Sequence, residues 1–282
     1  MALQLKTVAL RHGPRWVADG FRAFGRRPLA LGLLFLVFLA GSTVVAAVLP
    51  FVGGLLQLMA LPLLSLGYMV ATQSALLQGP VHPGQFIEPL RTDAPRRRAL
   101  LILCASYGLL AFGLLALCAW VSDDALTRLQ HLVAGGDATR AQIDALLDEP
   151  GVTRAAWLLG VLGTALSVPY WFAPALVHWG GQGVWQSLFS STLALWVNKG
   201  AFTTFLATWV ALVVLTSLLL SVLLSLLGAA RLAGMLLMPT ALLFSTAFYV
   251  SQLFAFKDNF VGPQAADEPA ADEPAPGPEP GP

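Results

Sequence analysis

The chain has 282 residues, of which 57% are hydrophobic and only 11% are charged, and its net charge is +1. This composition lies outside the range of soluble globular domains, and no nucleic-acid partner is expected. Six long apolar stretches, none of which contains Asp, Glu, Lys, Arg or His, predict an all-α membrane protein that crosses the bilayer six times.

An amphipathic helix is predicted before the first span, over Pro14–Arg27. Val17, Phe21 and Phe24 recur at helical spacing on one face. The opposite face carries Arg15, Asp19, Arg22 and Arg26. We expect this helix to lie in the membrane interface, with its aromatic side in acyl chains and its arginines near anionic headgroups.

The six spans follow, and each exceeds the roughly 20 residues needed to cross a hydrocarbon core of about 30 Å. They are predicted over Leu29–Leu49, Gly54–Leu77, Ala99–Val121, Ala155–Val177, Ala201–Leu227 and Met235–Phe256. The chain therefore divides into an elbow at residues 1–28, a six-helix membrane domain at 29–257 and a tail at 258–282.

Each pair of spans forms a hairpin that is preceded by a cytoplasmic interfacial elbow helix. The second and third elbows are predicted at Gln85–Leu90 and Val184–Trp196. The three units share an orientation, which fits either a parallel internal repeat or the reuse of one membrane-entry pattern.

The polar connections carry two further predictions. Residues 122–154 form a periplasmic loop with two short helices, the first begun by Ser122, the second capped by Asp137 or Thr139 and ended by Pro150. Gly135 and Gly136 stop the first helix. The Pro/Ala/Glu-rich tail buries too little apolar area to offset its ordering entropy, so we expect it to be disordered.

The basic residues are divided unequally between the two sides of this six-pass arrangement. Only Arg128, Arg140, Arg154 and Arg231 fall on one side. The other side carries Lys6, Arg11, Arg15, Arg22, Arg26, Arg27, Arg91, Arg96, Arg97, Arg98, Lys199 and Lys257. The positive-inside rule then places both termini in the cytoplasm of a bacterium, with the chain in its inner membrane.

The uncharged spans argue against an enzyme and against ion-coupled transport. A charge at mid-membrane costs several kcal/mol and is retained only where it functions. Cys104 and Cys118 are interpreted as small packing residues, and neither a metal nor a cofactor is expected. Ser217, Ser221 and Ser225 form a stripe of small residues that favours helix packing.

Two sets of residues are candidates for function. The first is expected to contact anionic lipid: Arg15, Arg22, Arg26, Arg27, Arg96, Arg97 and Arg98. The second surrounds Pro169 and Pro174 in the fourth span, where kinks and polar aromatic residues could line a small cavity with Gln57, Tyr170 and Trp171. Kinks that serve packing alone are the alternative interpretation.

Three segments carry a resemblance to known proteins: Trp16 to Pro28, Trp171 to Val177, and the pair Asn198 and Lys199. They resemble an uncharacterised family of proteobacterial six-pass inner-membrane proteins. More distantly, the elbow-plus-hairpin pattern is similar to the membrane domain attached to some glycerophosphodiester phosphodiesterases. The resemblance implies a fold and a location. It implies no activity, since the phosphodiesterase catalytic domain is absent.

The sequence thus favours a non-enzymatic accessory or scaffold subunit that binds another membrane protein or anionic lipid in the bilayer. A permease-like carrier of an uncharged or lipidic solute, which uses the kinked fourth span, is the competing hypothesis.

Overall fold

A computed structural model describes residues 3–49, 52–134, 139–228 and 232–261. Its helices are α1 (His12–Arg26), α2 (Pro28–Val48), α3 (Gly53–Leu76), α4 (Ala94–Val121), α5 (Ala125–Ala134), α6 (Arg140–Leu147), α7 (Pro150–Tyr170), α8 (Ala173–Gly180), α9 (Val184–Val197), α10 (Lys199–Leu226) and α11 (Leu232–Asn259). Two short strands, β1 (Gln4–Leu5) and β2 (Phe260–Val261), pair antiparallel. Two 3₁₀ turns, Pro83–Phe86 and Glu88–Arg91, precede α4.

Six helical segments in the described chain are long and apolar enough to cross a membrane: α2, α3, α4, α7 with α8, α10 and α11. The predicted six apolar helices are therefore confirmed. α4 begins at Ala94, five residues before the predicted start at Ala99, so Arg96 to Arg98 lie inside its first turns. The fourth span is broken between Tyr170 and Ala173.

The helix α3 lies at the centre of the bundle, where it packs against α2, α4 and α11. α4 packs in turn against α7, and the pair α7–α8 packs against α9. A side chain at Gly108 of α4 would collide with Met59 of α3, so this glycine permits the closest contact between the two central helices.

The predicted environment of α1 was wrong for two of its three apolar residues. Val17 is only 2% exposed, and the Phe21 ring lies 5.4 Å from that of Trp209, so both residues pack on α10 and α11 rather than on acyl chains. Gly13 and Gly20 explain the difference. Their missing side chains let the α1 backbone approach α10 and α11, a contact that hydrophobic periodicity does not reveal.

Both described chain ends meet at one end of the bundle, which we call the terminal end. The buried Asn198 side chain accepts a hydrogen bond from the Val8 N–H (2.9 Å) and donates to the Lys6 carbonyl (2.9 Å) and to Asn259 Oδ1 (2.6 Å). Asp258 accepts from Trp16 Nε1 at 2.7 Å. Residues 258–261 therefore belong to the helical domain, which corrects the predicted start of the tail.

The opposite end, which we call the loop end, carries α5 and α6. Thr139 caps α6 and exchanges hydrogen bonds with Gln142, as one of the two predicted caps requires. Asp123 and Asp124 adopt positive φ before α5, which begins at Ala125. Pro150 begins α7 instead of ending α6.

Other predictions differ in form or cannot be compared. The second elbow consists of the two 3₁₀ turns and not of an α-helix, because Pro83 and Pro89 interrupt it. The predictions for Gly135, Gly136 and Asp137, and for the tail beyond Val261, lie outside the described residues.

Candidate functional site

A small polar cavity lies within the bundle, between α3, α4, α7 and α11. Its volume is about 120 Å³. The residues that line it are Leu61, Pro62, Ser65, Tyr107, Ser167, Tyr170, Trp171, Tyr249 and Gln252. Hydroxyl and amide groups in an otherwise apolar helix bundle can hold an uncharged polar molecule through hydrogen bonds.

Two hydrogen bonds organise the walls of this cavity. The Ser65 hydroxyl donates to Gln252 Oε1 at 2.5 Å, which joins α3 to α11. The Tyr170 hydroxyl donates to Ser106 Oγ at 2.8 Å, and its ring meets that of Tyr107 edge-on at 5.1 Å. These bonds fix the wall residues of α3 to α11 and Tyr170 to α4, so hydroxyl and amide groups from several helices surround the cavity.

Gln57, predicted with Tyr170 and Trp171 as a lining residue, lies elsewhere. It belongs to a surface groove between α2, α3 and the segment Pro83 to Ile87. Its position on α3 is one turn closer to the loop end than Leu61, the first α3 residue of the cavity. Gln252 of α11 supplies the amide instead. The sequence does not show which face of α11 turns toward the cavity, so it could not identify this residue.

The break in the fourth span explains how Tyr170 and Trp171 reach this cavity. Pro169 and Pro174 cannot donate backbone hydrogen bonds, so the helix ends at Tyr170 and restarts at Ala173. Ser191 of α9 stabilises the gap, since its hydroxyl donates to the Val168 carbonyl and accepts from the Phe172 N–H, both at 3.0 Å. Sequence reasoning identified the prolines and missed the serine.

Two of the seven arginines predicted to contact lipid are tied to backbone carbonyls. Arg27 donates to the Gly79 carbonyl at 2.8 Å, in the segment that follows α3. Arg96 donates to the His178 carbonyl at 3.3 Å and lies 3.5 Å from Asp93. Arg96 thereby stabilises the end of α8, because a cation near a helix C-terminus offsets its partial negative charge, whereas Arg27 holds the segment after α3.

The remaining five arginines are exposed at the terminal end: Arg15, Arg22, Arg26, Arg97 and Arg98. Asp19 pairs with Arg22 at 2.8 Å and lies 3.8 Å from Arg15. Exposed ion pairs of this kind contribute less than about 1 kcal/mol and leave the guanidinium groups accessible to other anions. Within the described chain, no group of three or more His, Cys, Asp or Glu side chains is placed to hold a metal ion.

The serine stripe of α10 faces outward. Ser217, Ser221 and Ser225 are all exposed, so within the described residues they do not pack against another helix as the sequence suggested. Their apolar neighbours on α10 are exposed as well, for example Leu218 at 58% and Val222 at 56%. The stripe on the loop half of α10 is therefore left uncovered by residues 3–49, 52–134, 139–228 and 232–261.

The comparisons with known proteins agree with this architecture. Over 258 residues the chain is 29% identical to a "probable inner membrane protein" of Burkholderia thailandensis, and the alignment covers 92% of this chain and 94% of that protein. No family model matches, and no solved structure matches. The similarity to a phosphodiesterase membrane domain receives no support. The chain is an integral multi-pass membrane protein.

Proposed function

We propose that this chain is a non-enzymatic accessory subunit of the bacterial inner membrane, which binds a transmembrane helix of another membrane protein along the serine stripe of α10. The exposure of Ser217, Ser221 and Ser225 carries the proposal. Residues four apart lie on one face of a helix, and small side chains on that face let a second backbone come close. In lipid, such close packing replaces the hydrophobic effect as the source of helix association.

The orientation of the chain is part of the proposal: the terminal end faces the cytoplasm and the loop end faces the periplasm. The exposed arginines at the terminal end support it through the positive-inside rule. Reporters fused after residues 92 and 260 are expected to show cytoplasmic activity, and one fused after residue 136 periplasmic activity. A periplasmic signal at 92 or 260 overturns this orientation.

We also propose that α1, the pair of 3₁₀ turns and α9 are three cytoplasmic interfacial elbows, each of which leads into a helical hairpin. α9 gives the clearest support. Trp185 and Trp196 are 84% and 71% exposed, and Lys199 Nζ lies 5.3 Å from the Trp196 ring. Exposed tryptophan and lysine side chains together are typical of a helix at the boundary between acyl chains and headgroups.

Cross-linking tests the partner site. A benzophenone attached at Leu218→Cys, which borders the stripe and leaves its three serines in place, in a chain with Cys104 and Cys118 replaced by Ala, is expected to give one adduct of defined mass in native membranes. That adduct should disappear with Ser217→Leu and Ser225→Leu, which block close approach, and persist with Ser217→Ala and Ser225→Ala, which do not.

A benzophenone at Leu219→Cys serves as the positional control, because this residue lies on the face of α10 opposite the serine stripe and is 69% exposed. Adducts to lipid alone at position 218 contradict the proposal. So does a protein adduct that the leucine substitutions leave unchanged. Mass spectrometry of the adduct tells a different protein, which the accessory role requires, from a second copy of this chain, which contradicts that role.

A second candidate function is a carrier of a small uncharged solute, because Tyr170 and Trp171 line a polar cavity inside the bundle. The volume of about 120 Å³ limits the choice of solute. It is below the roughly 300 Å³ of ordinary ligand pockets and has room for about four water molecules at their liquid volume of ~30 Å³ each. A lipidic solute does not fit within it.

Cysteine accessibility distinguishes this carrier from the accessory subunit. If the cavity conducts solute, Ser65→Cys and Ser167→Cys should react with a small water-soluble thiol reagent from at least one side of the membrane. Leu219→Cys, which lies on the face of α10 opposite the serine stripe and is 69% exposed, is the control for reagent that enters through the bilayer. Unreactive cysteines at 65 and 167 remove the carrier hypothesis.

A further inference from the structure

We propose that the first turns of α4 bind one anionic phospholipid, with its phosphate between Arg97 and Arg98 and an acyl chain along Leu101, Ile102 and Ala105. These residues and Ala94 line a surface groove of about 430 Å³. The inference deepens the proposed function, since it rests on the placement of the terminal end at the anionic cytoplasmic leaflet. It does not depend on a partner at α10.

The three consecutive arginines of α4 have different environments. Arg96 is half-buried and held by the His178 carbonyl and by Asp93. Arg97 and Arg98 are exposed, and within the described ranges no carboxylate pairs with either. Two adjacent guanidinium groups thus remain available to an external anion.

The depth of the pair in the membrane follows from the other end of the same helix. Trp120 of α4 is 76% exposed, and exposed tryptophan marks the boundary of the hydrocarbon core. At 1.5 Å per residue, Arg97 lies roughly 34 Å from Trp120 along the axis, compared with a core of about 30 Å. Arg97 and Arg98 therefore lie at the level of the phosphates, and Ala105 lies among the acyl chains.

The chemistry of the groove fits a diacyl lipid with a net negative headgroup. Leu101 and Ile102, 50% and 43% exposed, follow Arg97 and Arg98 by four residues and so lie one turn deeper on the same face. Guanidinium groups bind phosphate through paired charge-assisted hydrogen bonds, and the N-terminus of α4 adds positive potential. The cationic amine of a zwitterionic headgroup is repelled by the same charges.

Native mass spectrometry of the purified full chain in detergent tests the site, with phosphatidylglycerol and phosphatidylcholine as probes. Wild type is expected to retain one phosphatidylglycerol in preference to phosphatidylcholine. R97Q/R98Q should weaken phosphatidylglycerol retention about tenfold, because both charged contacts to the phosphate are lost. A105F, which fills the apolar part of the groove, should weaken it without any change of charge.

R11Q/R91Q is the matched control, because it removes two exposed charges from the same end of the bundle. Its retention of phosphatidylglycerol should stay within about twofold of wild type. If R97Q/R98Q and R11Q/R91Q lose phosphatidylglycerol equally, the attraction is diffuse and the proposed site is wrong. Equal retention of the two lipids by wild type also contradicts the site. If no protein adduct forms at position 218 while phosphatidylglycerol is retained, the partner site alone is refuted.

Discussion

The terminal end and the loop end of the bundle consist of similarly apolar helices, yet they are packed very differently. On α10, Phe205 is fully buried and Trp209 is 6% exposed, whereas Leu215 and Leu219, further along the same helix, are 63% and 69% exposed. The buried half is covered by α1, which lies against α10 and α11. In the other half of α10 the described chain covers only one narrow face, with Leu224 at 6%, and leaves the remaining faces exposed.

The fourth span shows the same contrast. The α8 residues Ala173 to Val177 are almost fully buried, while Trp157 and Val161 of α7 are 73% and 62% exposed. Close packing thus depends on α1, α9 and β1, which lie outside the six spans. The helices of the terminal end therefore make most of their contacts within the chain, whereas the loop half is left to lipid or to another protein.

The largest effect is expected from a side chain added where α1 meets α10. A Cβ at Gly13 would collide with backbone atoms of Ala201 and Phe205, so Gly13→Val should lower the free energy of unfolding by about 4 kcal/mol. Unfolding by sodium dodecyl sulfate in mixed micelles measures it. Gly160→Val is the counterpart on the loop half of α7, where an added Cβ meets nothing, and should stay within about 1 kcal/mol of wild type.

Equal destabilisation by the two valines would mean that both halves are packed alike, and the contrast between them would be lost.

A smaller loss is expected when the polar contacts of the terminal end are removed. Asn198→Leu leaves Asn259 Oδ1 without its partner in a buried site and the Val8 N–H and Lys6 carbonyl without theirs at its edge, and should cost about 2 kcal/mol. Hydrogen exchange across residues 3–12 should accelerate, because the segment is no longer held. Thr203→Ala removes an exposed hydroxyl whose bond lies within α10 and is the control.

If Asn198→Leu leaves exchange across residues 3–12 unchanged, the N-terminal segment is held by other contacts and the role given to this amide is wrong.

The spans could be predicted from sequence because long uncharged runs admit few other environments. What packs against each face of a span could not be predicted from sequence. The periodicity of α1 identified Val17 and Phe21 as apolar, but lipid and a neighbouring helix are equally apolar, so the pattern does not say which one covers them. Likewise the prolines pointed to a kink near Tyr170, whereas Ser65 and Gln252 reach the cavity through rotations of α3 and α11 that no local pattern records.

The smallest effect is expected at the seam between the two halves, where Ser191 joins Val168 to Phe172 across the broken fourth span. Ser191→Ala removes the donor to a carbonyl and the acceptor for an N–H in a buried site, and should cost about 1.5 kcal/mol. Exchange of the Phe172 amide should accelerate. Ser187→Ala is a matched control, since this serine is also buried but bonds only the Val184 carbonyl of its own helix. Unchanged protection of the Phe172 amide in Ser191→Ala would show that α7 and α8 hold their geometry without α9, and that the two halves are not joined through this hydroxyl.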